Sequence, residues 1–292
     1  MTSSSSLGFR KATPADVAGT LNLSVEWDGI RTIPKTTESN GVLRLQQPLY
    51  LDDSGQVTYI VINPGGAFFG ETYQHRVEVK PGANLLFAAQ GATRIYKTPE
   101  RPAVQEMNFI VGEGSRLEYI PDQTIAYRDA DFRQRVTISV APDSQVFVAE
   151  DVTPGWDPDD LQFTYTGMRL RIDVRNHQSG GRVCTDNIRI QPGDIGGAIH
   201  SIGYMEGASH MGSVLVLGPH TEGTYIDSVR EILQQSGPDR VGVTRGNRHG
   251  ISWLMVRALA DSTDQLNAMI YSLNEFDRSV TTGQSRLNLR RY

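Results

Sequence analysis

Cysteine is almost missing from this chain of 292 residues. The single Cys184 cannot form an intrachain disulfide and cannot supply a thiolate cluster for zinc or an iron–sulfur centre. Lysine is scarce as well: only Lys11, Lys35, Lys80 and Lys97 stand beside 24 arginines. Arginine's planar fork suits partly buried ion pairs and protein interfaces better than lysine does. No apolar run approaches the roughly 18 residues of a membrane-spanning helix, and the longest, such as Val57–Ile62, are strand-sized. The first residues, MTSSSSLGFRKATPAD, contain no apolar stretch of secretory-signal type, which points to a cytoplasmic location. With 28 basic against 33 acidic residues the net charge is −5, so nucleic acid is not an expected partner. A GxSxG elbow is absent, and no GxGxxG or Gly-Lys-Ser/Thr pattern opens a helix after the Gly-rich segment Pro64-Gly65-Gly66. Nucleophilic catalysis and phosphate binding are therefore not expected, and the lone cysteine reads as a bystander.

What is present is alternation. From about Leu21 to Tyr204, short segments such as Val57-x-Tyr59-x-Val61, Val77-x-Val79, Val136-x-Ile138-x-Val140 and Leu170-x-Ile172-x-Val174 recur between Gly, Pro, Asn and Asp. Within them lies a weak repeat. VEVKPGANLLF (77–87), FIVGEGSRLEY (109–119) and ISVAPDSQVFV (138–148) each place a turn, at Gly82, Gly114 or Asp143, between two alternating apolar pairs. IRIQPGD (188–194) repeats the first half. Gly and Asp tolerate the positive φ such a turn often needs. Spacings near 30 residues belong to solenoids and β-helices, while an antiparallel sandwich with similar hairpins stays open as the alternative.

The last third changes period. TYIDSVREILQQ (224–235) and the segment 261–276 carry apolar residues on one helical face, the second behind an Asp-Ser-Thr-Asp capping start. A hairpin turning near Gly246–Gly250 separates them. The spacing thus predicts a mainly β protein: a β-helical, solenoid-like body of stacked hairpins over 16–205 and a small α+β cap with about two helices over 206–280. Residues 1–15 and 281–292 are expected to be flexible.

Several groups could carry chemistry. His200, His210 and His220 lie ten residues apart, unlike the short offsets of metal ligands, and exposed loop histidines are the expectation. Glu150 and Asp151 end an apolar strand, so alternation directs one of them inward, which is expensive for a carboxylate unless it is paired or lines water. WDPDD (156–160) reads as a solvated acidic turn.

Two longer segments are more specific. INPGGAFFGETYQHRVEVKPGANLLFAAQGATRIYKT (62–98) and RLEYIPDQTIAYRDADFRQRVTISVAPDSQVFVAEDVTPGW (116–156) resemble the two signatures of the UreD (UreH) family of urease accessory proteins. Shared features are the Pro-Gly-Gly turn, a Gly followed by an acid, the Pro-Gly-Ala turn, the Gly-Ala-Thr stretch and the Leu-Glu-Tyr-x-Pro segment. Asp122 and Arg94-Ile95 depart from the family pattern. The resemblance implies a β-helical scaffold without catalytic activity. It implies binding to apo-urease and UreF, recruitment of the GTPase UreG through UreF, and a homodimer within the complex. It also implies nickel in transit with no tightly bound cofactor, along a channel of acidic and hydroxyl residues. The family positions fall on Glu71, Thr93 and Glu150, with Asp151 as the alternative acid, and on Asp186. A β-helical polysaccharide lyase or hydrolase, with WDPDD as its acid cluster, and a urease-independent scaffold are the competing expectations.

Overall fold

The computed structural model describes residues 16–62, 67–195 and 198–287. The Pro64-Gly65-Gly66 turn and the segment 1–15 lie outside the described residues. The chain winds into a β-solenoid of about 4 turns. Its first coil holds β1 (Val17–Trp27), β4 (Val57–Ile62) and β5 (Ala67–Phe68), interrupted by β2 (Thr32–Gly41) and the short β3 (Arg44–Leu45). The second is β6 (Thr72–Val79), β7 (Asn84–Ala89) and β8 (Thr93–Ile95), and the third β9 (Ala103–Val111), β10 (Arg116–Ile120) and β11 (Thr124–Ala126). The fourth is β12 (Asp131–Val140) and β13 (Gln145–Val152), after which β14 (Gly167–Asn176) begins a further layer.

Equivalent strands stack in parallel, and their register is that of the sequence repeat. Val79 lies beside Val111 and Val111 beside Val140; Leu85 lies beside Leu117 and Leu117 beside Val146. The two strands of a repeat unit pair with neighbouring coils, because each turn carries the chain from a 7-stranded sheet to an 11-stranded one. Gly82 and Gly114 sit in these turns at φ 74° and 61°, a conformation that Cβ disfavours. Asp143 does not share it. There Ser144 closes the turn by donating from Oγ to the Ala141 carbonyl at 2.7 Å. The half-repeat at 188–194 is not another coil either: β15 (Arg182–Ile190) runs antiparallel to β14 and ends the 7-stranded sheet.

After β15 the chain crosses to the other sheet. β16 (His210–Leu217) pairs antiparallel with β13, followed by α1 (Tyr225–Ser236), the hairpin β17 (Arg240–Arg248) and β18 (Ile251–Ala260), and α2 (Thr263–Thr281). His249 and Gly250, at φ 55° and 74°, make the expected hairpin turn. Ser262 caps α2 by accepting from the Gln265 amide. Both helices pack on the outer face of the 11-stranded sheet, so its central strands are apolar on both sides. Leu85 and Phe87 face the solenoid interior while Leu86 faces the helices; Val146 and Val148 face inward while Phe147 and Ala149 face outward. Burying each such side chain is worth about 1.5–3 kcal/mol. A third, narrow face carries one aromatic per coil. Phe69, Tyr96, Tyr127 and Trp156 follow one another with ring centroids 5.3, 4.7 and 4.9 Å apart.

Candidate functional site

The interior of a solenoid is built by alternation, so a polar residue on an inward position is taken inside with its apolar neighbours. On β6 these neighbours are Tyr73, Val77 and Val79, and the polar residue is His75. On β9 it is Gln105 beside Met107, on β12 Gln134 beside Phe132 and Val136, and on β13 Glu150 between Val148 and Val152. A cavity of about 250 Å³ opens among the first of these, lined by Thr93, His75, Gln105, Met107, Tyr119 and Phe87. His75 is buried with Nδ1 lacking a partner, and burial lowers its pKa to about 4 despite a hydrogen bond to the Glu106 backbone. The Tyr119 hydroxyl donates to Met107 Sδ at 3.2 Å.

Next along the interior stands Glu150. The Gln134 amide donates to its carboxylate, yet burial, with the Asp186 carboxylate behind it, pushes its pKa up to about 8. Arg257 of β18 acts in the opposite direction and does not reverse the shift. Glu150 in turn helps to raise the Tyr119 hydroxyl, after burial as the main cause. Asp186 of β15 accepts from Arg257, and Arg257 lines a second cavity of about 570 Å³ with Asn187, Tyr204 and Met211. Ser213, the β16 neighbour of Glu150, keeps a buried Oγ without a partner. Polar groups thus follow one another from the Thr93 cavity through Tyr119, Glu150 and Asp186 to the Arg257 cavity. Such groups can hold water or exchange weak oxygen and nitrogen contacts with a cation, and none is a thiolate. The Cys184 thiol is pushed up to about 12, first by burial and then by Asp186 and Asp173.

Three of the residues singled out in the sequence, Thr93, Glu150 and Asp186, fall on this file. Asp151 does not: both acids at the end of β13 are buried, but on opposite faces, and Asp151 looks toward Ile270 and Tyr271 of α2. Glu71 precedes β6, accepts from the Tyr73 hydroxyl at 3.3 Å and does not line the Thr93 cavity. His75, Gln105, Gln134 and Arg257 escaped notice in the sequence. The first three were detectable, because each occupies an inward position in an otherwise apolar alternation.

The histidines at 200, 210 and 220 have separate surroundings. His200 packs edge-on to Phe163, His210 meets the Ser209 hydroxyl at 2.7 Å, and His220 Nε2 meets Asp277 Oδ1 at 2.9 Å. The acidic turn at 156–160 is exposed, as expected, except for Asp157, which is buried. The Arg128 guanidinium donates to Asp157 at 2.6 and 2.5 Å and also to Asp159. These bonds hold the Asp157 carboxyl well below its usual range. Two of its three carboxylates, those of Asp157 and Asp159, are thus engaged by Arg128.

Outside the file, the largest polar assembly fastens α2 to the sheet. Arg116 and Glu118 of β10 meet Asp277, Arg278 and Asn274 of α2, with every member buried. Gln56 and Asp52 bond to Arg278 as well, and Tyr225 donates to Asp277 at 2.8 Å. Among the described residues no helix is long and apolar enough to cross a membrane.

Comparison with known proteins agrees with the signature segments. The family model for UreD urease accessory protein matches residues 17–291. A urease accessory protein UreD of Arthrobacter sp. (strain FB24) is 41% identical over 281 residues, covering 94% of each chain. The UreD of Actinomyces naeslundii is 39% identical over 94% of this chain and 98% of its own, and that of Bacillus sp. (strain TB-90) 31% over the same shares. A match across nearly the whole length, on a solenoid whose register follows the signature repeat, identifies the chain as a member of the UreD urease accessory protein family.

Proposed function

We propose that this protein is a non-catalytic urease maturation factor. It binds apo-urease and UreF, recruits UreG through UreF, and passes nickel through the interior file of Thr93, Glu150 and Asp186. Family membership supports the maturation role. The observation that carries the finer reading is the carboxylate of Glu150, kept inside an apolar solenoid between two cavities. An inward carboxylate costs several kcal/mol in an apolar site unless water or cations visit it. Nickel in transit calls for weak, exchangeable ligands, and the file offers carboxylate, amide, hydroxyl and one neutral imidazole. Glu71 belongs at the approach to this path, and Asp151 serves the helix interface. Arg257 beside Asp186 moderates the negative charge, so a divalent cation is not trapped. The body over 16–205 houses the path, and 206–280 covers it.

Glu150→Gln is the decisive variant, because it keeps size and hydrogen bonding while removing the ionisable carboxyl that exchanges its proton for a cation. Coexpressed with urease and the other accessory proteins, it should assemble normally yet lower urease nickel content and activity. Full activation would eliminate the transport role of Glu150. Lost activation together with lost assembly would assign Glu150 to structure instead.

A further inference from the structure

The outer face of the 7-stranded sheet carries a concentration of one charge. On β12 and β14 the inward positions are buried and, Gln134 excepted, apolar: Phe132, Val136 and Ile138 on one, Met168, Leu170, Ile172 and Val174 on the other. Arginines occupy the outward positions between them. They stand in cross-strand register. Arg133 lies beside Arg169 and Arg169 beside Arg189, a row of three like charges across β12, β14 and β15. Arg135 lies beside Arg171 in the next row, and Arg175 beside Arg182 near the strand ends. Asp131 and Asp173 stand among these seven on the three strands and Glu106 of the adjoining β9 lies beside Arg135, so arginines outnumber acids on this face although the net charge of the chain is −5. Like charges directly opposite each other destabilise a sheet, and nothing in β propensity calls for arginine here.

The guanidiniums are also held in place. Asp173 takes Arg171 in two bonds of 2.7 and 2.8 Å, and Asp131 takes Arg133 at 2.9 Å. The neutral amide oxygens of Asn187 and Gln191 accept from Arg169 at 3.0 Å and Arg189 at 2.6 Å. Burial, and then the positive charges of Arg171, Arg135, Arg189 and Arg133, push the Arg169 guanidinium below its ordinary value. The strand spacing sets neighbouring arginines of a row a few ångströms apart on a preorganised surface, which lowers the ordering cost of binding.

We infer that this arginine face docks an acidic surface of a protein partner, whose carboxylates lie against the Arg133–Arg169–Arg189 row. Carboxylate is favoured over nucleic-acid phosphate for two reasons. The face already holds two carboxylates in the fork geometry of Arg171 and Arg133, and the negative charge of the rest of the chain repels a long polyanion beyond the patch. The face deepens the proposed maturation role by giving the chemistry of one partner surface, and in the assembly experiment below it rests on that role.

Two variants test it, the reversal Arg169→Glu with Arg189→Glu, and the neutral Arg169→Gln with Arg189→Gln. The full-length chain is titrated with a fluorescein-labelled glutamate-rich peptide and, separately, with duplex DNA. We expect the peptide to bind more tightly than the DNA, and to weaken about tenfold between low and physiological salt. Both variants should weaken it by at least about tenfold, with circular dichroism unchanged and the melting temperature equal or higher. Peptide binding that the neutral variant leaves intact, an absence of binding, or tighter binding to DNA would each overturn the inference. In a second arm, wild type and variants are co-purified with apo-urease and UreF. Loss of complex by the folded variants supports the assignment of the face to that assembly. Undiminished assembly by a variant that has lost the peptide overturns it. A wild type that binds peptide but neither protein overturns the maturation role and leaves the arginine face standing.

Discussion

Arg116, at the head of β10, and Asp277, near the end of α2, meet at 2.7 Å although 161 residues separate them in the chain. Neither side chain is more than 2% exposed. Burial alone would keep Asp277 protonated, but Arg116 and His220 beside it hold its carboxyl down at about 2. Around this pair, Arg278 donates to Glu118 at 2.5 Å and Asn274 to the same carboxylate at 2.9 Å. The network makes α2 a fixed part of the sheet's outer face.

Removing one partner should therefore be severe. Asp277→Ala leaves buried Arg116 with Glu118 as its remaining carboxylate and takes the acceptor from the Tyr225 hydroxyl, with an expected loss of about 3–5 kcal/mol in urea unfolding. A double replacement, Arg116→Met with Asp277→Leu, should recover much of that loss. A single mutant within experimental error of wild type would refute the role of the network. Asp277 titrates below its ordinary 3.8, so its contribution is present above about pH 4 and is lost as pH falls toward 2. Acid unfolding should be steepest in that window.

Glu150 should behave in the opposite sense. Its folded value of about 8 lies above the ordinary 4.5, so its stabilising contribution is full below pH 4.5 and fades as pH rises through 8. Glu150→Gln should melt at a higher temperature than wild type at alkaline pH, and the two should converge in mild acid. Parallel melting curves from pH 4.5 to 8 would show that the Glu150 carboxyl is solvated and not held neutral by burial.

His75 offers an independent test of the Thr93 cavity. Its pKa is lowered from 6.5 to about 4, so its contribution is present above pH 6.5 and lost as pH falls toward 4. In His75→Phe that slope should disappear. A wild-type slope retained in the variant would mean the imidazole is solvated.

Gly82→Val isolates backbone strain. The added Cβ would meet only Trp27 Cβ at 3.9 Å, an ordinary contact, while φ stays at 74°. The expected cost is about 1–2 kcal/mol, read from denaturant midpoints. An unchanged midpoint would show that the turn tolerates a branched side chain.

How much of this was legible in the sequence follows from what each feature depends on. Alternation and turn residues are local, so the β body, its repeat and the hairpin at His249-Gly250 could be read directly, and the spacing of Val79, Val111 and Val140 is the actual strand register. The expected end of the second helix at Phe276 was a full turn early. Asp277 and Arg278 look like solvent-facing residues when their partners on β10 are unknown.

The same division holds at the functional site. Period-2 alternation by itself determined that one of Glu150 and Asp151 had to face inward, because successive strand side chains take opposite sides. Only the tertiary structure decided that both are buried, since α2 covers the face that an open sheet would give to water. Only it decided that Glu150 is the acid that meets Asp186, and that Arg257, from a strand added after the solenoid, stands between that acid pair and the second cavity. The arginines of β12, β14 and β15 were countable in the chain, yet their alignment into rows depends on pairing across strands. A sequence records which face a residue takes, and the fold determines what lies beside it.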